Sequence, residues 1–199
     1  DLPTRLFHWL FAGLFLFSFL VAKNVDDESV VFTYHMLSGL TLFLLVCLRV
    51  IWGLLGSKHA RFSDFTFHPL ALLHYFQGFL VGGKIRWAGH NPASSWAGIV
   101  MMVLALGMGF TGYLMVSGEK EAYEDIHEIF ANAFLIVVIL HVAGIILHTI
   151  RHRDWIGLSM IDGKKQGVEE SDAIPGSKPV FGLVLLGLVG LFFFNLIQN

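Results

Sequence analysis

The sequence predicts an all-α fold, an integral membrane helical bundle in which four helices form the core and a fifth transmembrane helix is added. Of the 199 residues, 55% are hydrophobic and only 14% are charged, and the mean hydropathy is +0.69. Long apolar stretches recur along the chain, and helices satisfy their own backbone hydrogen bonds in lipid. These values exclude a soluble globular domain and a disordered chain. The net charge of −2 gives no reason to expect nucleic acid as a partner.

Five stretches are long enough to cross a bilayer as helices, because about 20 residues span about 30 Å. The first contains His8 and is followed by no small-residue cleavage site, so we expect a transmembrane helix and not a signal peptide. The second contains Arg49 as its one charged residue, the third and fifth contain none, and the fourth has acids only in its first turn. The predicted helices are about Arg5–Ala22, Val31–Leu55, Trp96–Val116, Asp125–Ile150 and Val180–Ile197.

Two long connections separate these helices. The connection from Gly56 to Ser95 contains Pro69–Leu80, which starts with proline, is apolar on one side and is predicted to be a short interfacial helix. The connection from Arg151 to Lys178 is rich in glycine, proline and charge, and is predicted to be an exposed linker. We therefore expect a four-helix core over residues 1–160, a cytoplasmic linker over 161–178 and the additional transmembrane helix over 179–199.

Lysine and arginine in the connections predict the orientation, since cytoplasmic loops carry the excess of these residues. The connections after the first and third helices have one lysine each, Lys23 and Lys120, among acidic residues. The other two connections together carry nine basic residues, Lys58, Arg61, Lys84, Arg86, Arg151, Arg153, Lys164, Lys165 and Lys178. We therefore expect the N-terminus in the cytoplasm and, after an odd number of crossings, the C-terminus on the outer side of the membrane.

Ionisable residues inside transmembrane helices are costly and usually functional, and here they are histidines. His8 and His35 lie a turn into the first and second helices, and His127 and His141 both lie in the fourth. The 14-residue separation of the last two places them within about 40° of one helix face and about 21 Å apart along the axis. Because successive helices alternate in direction, His35 is level with His127 in the outer leaflet, and His8 is nearer the level of His141 in the inner leaflet.

Two imidazoles that face each other inside a helix bundle provide what bis-histidine haem iron requires. The sequence therefore predicts two haems b, with iron bound by the outer pair His35 and His127 and by the inner pair His8 and His141. Cys47 is the single cysteine and no C-x-x-C-H motif is present, which excludes covalently attached c-type haem. The alternative is a non-redox scaffold or transporter with structural histidines, which a visible absorption spectrum would distinguish.

Other residues fit this prediction. Arg49 lies 14 residues after His35, at the depth of the inner haem, where its guanidinium would pair with a propionate. His148 shares the face of His141 near the inner rim and is predicted to contact a propionate or a quinone, with a quinone site near His141, His148 and Arg151. The alternative is a quinone site in the outer leaflet beside His35, which would leave His148 as an interfacial residue. Small surfaces that let a porphyrin approach a helix are expected at Gly13, Gly39, Gly109, Gly112 and Gly144.

The chain resembles the bacterial cytochrome b561 family, which is related to the b-type cytochrome subunits of nickel-iron hydrogenases and respiratory formate dehydrogenases. The segments that carry the resemblance are Asp1 to Trp9 (DLPTRLFHW), His35 with Gly39, Arg49 to Gly56 (RVIWGLLG), Ala60 to Phe62, Gly89 to Pro92, and His127 to His141 with Asn132 and Gly144. The resemblance implies a four-helix core with two haems b on the matching His8, His35, His127 and His141. It also implies electron exchange between the quinone pool and a second redox partner. The fifth helix lies outside the shared core.

These observations together predict a respiratory di-haem b-type cytochrome. It would carry electrons across the inner membrane between quinone and a periplasmic protein such as a c-type cytochrome, in contact with membrane lipid. Two alternatives remain: a superoxide:quinone oxidoreductase, which would be an enzyme in its own right, and the haem-bearing membrane anchor of a hydrogenase or dehydrogenase complex. The acidic outer loops argue against attraction of an anion such as superoxide.

Overall fold

The computed structural model describes residues 1–81, 90–153, 155–164 and 169–198. Lys84, Arg86 and Lys165, which contributed to the predicted orientation, lie outside these residues. Within the described ranges the helices are α1 (Leu2–Asn24), α2 (Thr33–Leu55), α3 (Pro69–Leu80), α4 (Pro92–Leu114), α5 (Lys120–His152), α6 (Ser159–Asp162) and α7 (Pro179–Gln198), and there is no strand. The predicted all-α membrane bundle is confirmed. The five predicted membrane helices correspond to α1, α2, α4, α5 and α7, and each end lies within five residues of its prediction.

Four continuous helical stretches of the described residues are long and apolar enough to cross a membrane, namely Leu2–Asn24, Val30–Leu55, Pro92–Arg151 and Pro179–Gln198. The third has 60 residues, but it reverses direction at Met115–Glu119, where Gly118 adopts a φ of 110° that glycine tolerates best. Thr111 Oγ1 lies 3.0 Å from His127 Nδ1, whereas a straight helix would separate these residues by about 24 Å. This stretch therefore forms the antiparallel pair α4 and α5 and supplies two crossings.

Local sequence determines where two of the long helices begin. The Asp1 carboxylate accepts a hydrogen bond from the Thr4 N–H at 2.9 Å at the start of α1. The Asn91 side-chain oxygen accepts one from the Ser94 N–H at 2.8 Å at the start of α4. A proline follows each capping residue in the first turn, where its missing N–H leaves no donor unsatisfied. Both helices thus begin at a sequence signal that acts locally.

The turns between α1 and α2 and between α4 and α5 meet at one end of the bundle. Lys120 at the start of α5 forms an ion pair with Asp27 of the α1–α2 turn, at an N–O distance of 2.5 Å. We call this region the acidic end, because it carries eight exposed carboxylates and two lysines: Asp26, Asp27, Glu28, Glu119, Glu121, Glu124, Asp125, Glu128, Lys23 and Lys120.

The opposite end of the bundle, which we call the basic end, contains the start of α1, residues 56–68 and the described residues 151–153, 155–164 and 169–178. The segment predicted as an exposed linker carries the short helix α6 and is tied to the rest of the fold. Trp9 Nε1 donates a hydrogen bond to the Met160 carbonyl at 2.9 Å, and Lys58 forms an ion pair with Asp172 at 2.8 Å. The linker therefore docks on α1 and on the loop after α2.

The additional helix α7 packs on the outer side of α1 and α2. Its first turns lie at the basic end, where the rings of Phe181 and Trp52 are 5.1 Å apart between centroids. A Cβ at Gly182 would come within 3.0 Å of the Leu2 side chain, so glycine permits this close approach of α7 to α1. The helix therefore runs parallel to α1, from the basic end toward the acidic end.

An aromatic cluster occupies the centre of the bundle. Phe134 of α5 is only 2% exposed, and its ring centroid lies 4.6 Å from that of Phe15 and 5.7 Å from that of Phe11, both on α1. Phe134 is seven residues from His127 and seven from His141. The buried core therefore separates two levels of histidine, one toward each end of the bundle.

Candidate functional site

His35 of α2 and His127 of α5 meet near the acidic end. Their ring centroids are 6.2 Å apart and their planes are inclined by 79°. Each ring is held from behind by a neighbouring helix. His35 Nδ1 lies 3.0 Å from the Ser18 carbonyl oxygen and 2.9 Å from Ser18 Oγ on α1, and His127 Nδ1 lies 3.0 Å from Thr111 Oγ1 on α4.

These contacts determine which nitrogen of each ring carries the proton. The Ser18 carbonyl can only accept a hydrogen bond, so His35 Nδ1 must be the donor. The Thr111 hydroxyl donates to the Gly107 carbonyl at 2.8 Å, which leaves its oxygen to accept from His127 Nδ1. In a neutral imidazole the proton on Nδ1 leaves the Nε2 lone pair available to a metal, and such a contact behind the ring is the usual support of a metal-binding histidine.

The separation of the two rings fits a metal ion between them. Metal–imidazole bonds of about 2 Å on both sides, with each ring nitrogen about 1.1 Å from its centroid, give a centroid separation of about 6 Å. The observed 6.2 Å agrees. In the part of the chain that the structure describes, no three histidine, cysteine, aspartate or glutamate side chains form a metal-binding group. A pair of protein ligands suits iron whose other ligands belong to a porphyrin.

His8 of α1 and His141 of α5 are the second predicted pair, and both lie toward the basic end. Their pairing around a haem stays a prediction. His8 Nδ1 is buried, and no described residue forms a hydrogen bond with it. The hydroxyl of Thr4, one helical turn before His8, is likewise buried and has no partner among the described residues. This region therefore presents polar groups whose partner has to come from a bound group or from solvent.

Arg49 of α2 is buried between the loop after α2 and the bundle, with only 6% of its surface exposed. Its Nη2 donates a hydrogen bond to the Ala60 carbonyl at 3.0 Å, and its guanidinium carbon lies 5.5 Å from the centroid of the Phe62 ring. Its Nη1 is buried and has no hydrogen-bond partner among the described residues. A buried cation with a free donor is suited to bind an anionic group.

The glycines divide into two groups. A Cβ built on Gly39, four residues after His35, or on Gly144, three residues after His141, would meet no described atom within 4 Å, and the same holds for Gly13. Space beside two of the histidines is thus open to a flat ring. The expectation that a porphyrin approaches the helix at the other two glycines, Gly109 and Gly112, was wrong, because both serve helix packing. A Cβ on Gly109 would lie 2.3 Å from the Phe43 ring, and one on Gly112 would lie 3.3 Å from His127.

His148 lies on α5 two turns beyond His141, toward the basic end, and is half-buried. Arg151 follows it at the end of the same helix and is also half-buried. Both residues therefore stand where the sequence predicts them along α5. A quinone site near these residues remains a prediction.

Sequence reasoning missed the residues behind the histidines. Ser18 and Thr111 are polar residues on mostly apolar helices, and they are only 5% and 4% exposed. Such residues often form hydrogen bonds between membrane helices. That signal could have marked them as candidates, but it could not have shown which histidine each one contacts.

Charge at the two ends of the bundle is organised by exposed ion pairs. A hydrogen bond from Lys120 lowers the pKa of the Asp27 carboxyl below its ordinary value, and a hydrogen bond from Lys58 lowers that of Asp172. Both carboxylates are therefore ionised at neutral pH. The acidic end keeps a clear excess of negative charge, because it holds eight carboxylates and two lysines.

Comparison with known proteins agrees with this arrangement. Neither the search of curated proteins nor that of solved structures found a match. A family model described as prokaryotic cytochrome b561 matches residues 1–163, a range that includes α1 to α6 and all four histidines of the two pairs. The chain therefore belongs to the prokaryotic cytochrome b561 family, whose members are membrane-bound b-type cytochromes with histidine-bound haem that transfer electrons across the membrane.

Proposed function

We propose that this protein is a di-haem b-type cytochrome of the bacterial inner membrane that transfers electrons between the quinone pool and a periplasmic redox protein. The observation that carries the proposal is the presence of two histidine pairs, one toward each end of the bundle. His35 with His127 would bind one haem near the acidic end, and His8 with His141 would bind the other near the basic end. Bound haem supplies the one-electron chemistry of its iron.

The protein's own residues hold and tune the two cofactors. The Ser18 carbonyl and the Thr111 hydroxyl keep the proton of each outer imidazole on Nδ1, so that both Nε2 atoms can bind iron. At the basic end, Arg49 Nη1 and the Thr4 hydroxyl are unpaired among the described residues, which suits them to haem propionates. The phenylalanine cluster around Phe134 excludes water between the two levels.

Charge supports a protein partner at the acidic end. Eight exposed carboxylates surround the end of the bundle nearest the His35 and His127 pair. A surface of this kind attracts a positively charged protein and repels an anionic small molecule such as superoxide. We therefore propose a periplasmic redox protein with a basic surface, such as a c-type cytochrome, as the partner.

The distribution of basic residues supports the proposed orientation. The described part of the basic end carries Lys58, Arg61, Arg151, Arg153, Lys164 and Lys178, against Lys23 and Lys120 at the acidic end. Because cytoplasmic loops carry the excess of lysine and arginine, the basic end would face the cytoplasm. We keep the division into a core over 1–160, a linker over 161–178 and an additional helix over 179–199, with the N-terminus in the cytoplasm and the C-terminus in the periplasm.

Haem stoichiometry and histidine variants test the proposal directly. A pyridine haemochrome assay should give two haems b per chain. His35→Ala or His127→Ala should remove one haem, and His8→Ala or His141→Ala the other, with the two haems distinguished by redox titration. A ratio near one haem per chain, or loss of the same haem from His8→Ala and His35→Ala, would contradict the two pairs.

Rate measurements test the partner. Reduction of a basic c-type cytochrome by the quinol-reduced protein should slow as ionic strength rises, because salt screens the attraction between opposite charges. Glu124→Lys, at the acidic end, should slow it at low salt, whereas Glu169→Lys, in the linker at the basic end, should leave the rate unchanged. Equal rates for the two variants would exclude the acidic end as the docking surface.

A further inference from the structure

A cavity of about 520 Å³ lies between the C-terminal end of α2 and the N-terminal end of α7, at the basic end of the bundle. Its apolar walls are formed by Ile51, Trp52, Leu55 and Phe181. Of these, Leu55 is 79% and Phe181 54% exposed, so the cavity opens toward the surrounding lipid. Its volume is within the range of about 300–1,000 Å³ typical of small-molecule sites.

The cavity has a positively charged group on one side. Lys178 lines it from the α7 side, with a φ of 58° that residues with side chains rarely adopt. Among the residues that the structure describes, none forms a hydrogen bond or an ion pair with the Lys178 ammonium. The ammonium is therefore available to donate a hydrogen bond to a ligand.

A carboxylate stands behind the other side of the cavity. The Ser57 hydroxyl, which lines the cavity, donates a hydrogen bond to the Asp1 carboxylate. Trp52 Nε1 donates to the same carboxylate at 3.1 Å. This carboxylate lies behind the wall opposite Lys178 and partly offsets its positive charge, so the site does not require an anionic ligand.

We propose that this cavity binds the headgroup of an isoprenoid quinone. A quinone has a flat ring that can lie beside Trp52 and Phe181, a carbonyl that can accept a hydrogen bond from Lys178, no net charge, and a hydrocarbon tail that can pass into the lipid. An anionic phospholipid headgroup fits less well, because Lys178 is the one charged residue among the lining residues and the other walls are largely apolar or aromatic. The inference rests on the proposed function, since it names where the quinone is bound.

The proposed site gives the additional helix a role. The family model ends at residue 163, whereas Phe181 belongs to the start of α7 and Lys178 immediately precedes that helix. The cavity therefore exists only because α7 docks beside α2. It lies on a different face of the bundle from His148 and Arg151 of α5, where the sequence analysis placed the quinone, so the two locations can be tested against each other.

Photolabelling of the purified haem-loaded protein with a short-chain azidoquinone tests the site. Label should map to peptides that contain residues 51–57 and 178–181, and an excess of unlabelled quinone should displace it. Leu55→Trp fills the mouth of the cavity with an indole and should lower labelling about tenfold or more. Leu54→Trp is the matched control, since Leu54 is exposed on the same helix but does not line the cavity; its labelling should equal that of the parent protein.

A second variant keeps the test independent of the bulky substitution. Lys178→Met should also lower labelling and raise the quinol concentration needed for half-maximal haem reduction, whereas Lys164→Met should not. Label on α5 near His148 that is insensitive to Leu55→Trp would overturn the site, and so would displacement by phosphatidylglycerol but not by quinone. If quinol reduces the haems of Leu55→Trp as fast as those of the parent protein, the assignment of the quinone to this cavity is wrong and the proposed function stands. If quinol fails to reduce the parent protein, the proposed function itself is wrong.

Discussion

Replacement of Thr111 by valine tests the proposed role of the histidine pair at the acidic end. Valine has nearly the same shape as threonine but lacks the hydroxyl that lies 3.0 Å from His127 Nδ1. The side chain is buried, with 4% exposure, so water cannot easily replace the lost contact. The change should weaken haem binding at this pair and leave the pair at the basic end unaffected.

The size of the effect follows from the contacts of His127. Removal of a group that supports a metal-binding histidine lowers affinity by about 10–100-fold, or about 1.4–2.7 kcal/mol. We therefore expect Thr111→Val to weaken haem binding at this pair by about tenfold or more.

Competition for haem measures the change. Transfer of haem from the cytochrome to an excess of apomyoglobin, followed in the visible spectrum, gives relative affinities for the two haems. Thr111→Ser, which keeps the hydroxyl, should behave like the parent protein. Ser18→Ala should lower haem affinity by less than about threefold, because the Ser18 backbone carbonyl still accepts a hydrogen bond from His35. If Thr111→Val keeps both haems as tightly as the parent, or loses the haem that His141→Ala removes, the geometry proposed for this pair is refuted.

Three further predictions concern single residues. Arg49→Leu should lower the midpoint potential of the haem at the basic end, because a positive charge favours the reduced iron; a redox titration in which neither haem shifts would contradict this. Gly109→Ala should lower the melting temperature, at a cost of about 1–3 kcal/mol, since its Cβ would meet Phe43, whereas Gly187→Ala, on α7, has open space and should not. Because Lys120 lowers the pKa of Asp27, the small stabilisation from this pair should be present at neutral pH and disappear as pH falls through that lowered pKa. Lys120→Met should therefore differ from the parent at pH 7 and match it in strong acid or at high salt; a difference that persists in acid would refute the ion pair as its cause.

The amino-acid sequence by itself determined the membrane class, the number of crossings and the ends of the long helices. Lipid offers no hydrogen bonds to the backbone, so an apolar stretch of about 20 residues has to be helical. Helix geometry also depends only on the local sequence. The 14-residue spacing from His127 to His141 therefore predicts two levels of histidine without reference to any tertiary contact. The motifs along residues 1–144 also predicted the family, which the match over residues 1–163 confirmed.

Only the tertiary structure decided which groups touch across helices. The contact of His35 with Ser18 joins residues 17 apart, and that of Trp9 with Met160 joins residues 151 apart; neither leaves a periodic signal along the chain. The sequence likewise predicted α7 as a helix but not its place beside α2, because its residues are apolar on every side and favour no single partner. Its docking depends on the shape of a few contacts, such as Gly182 against Leu2 and Phe181 against Trp52. The cavity at the basic end depends on this docking. Its walls come from residues 51–57 and residues 178–181, which are more than 100 positions apart in the sequence.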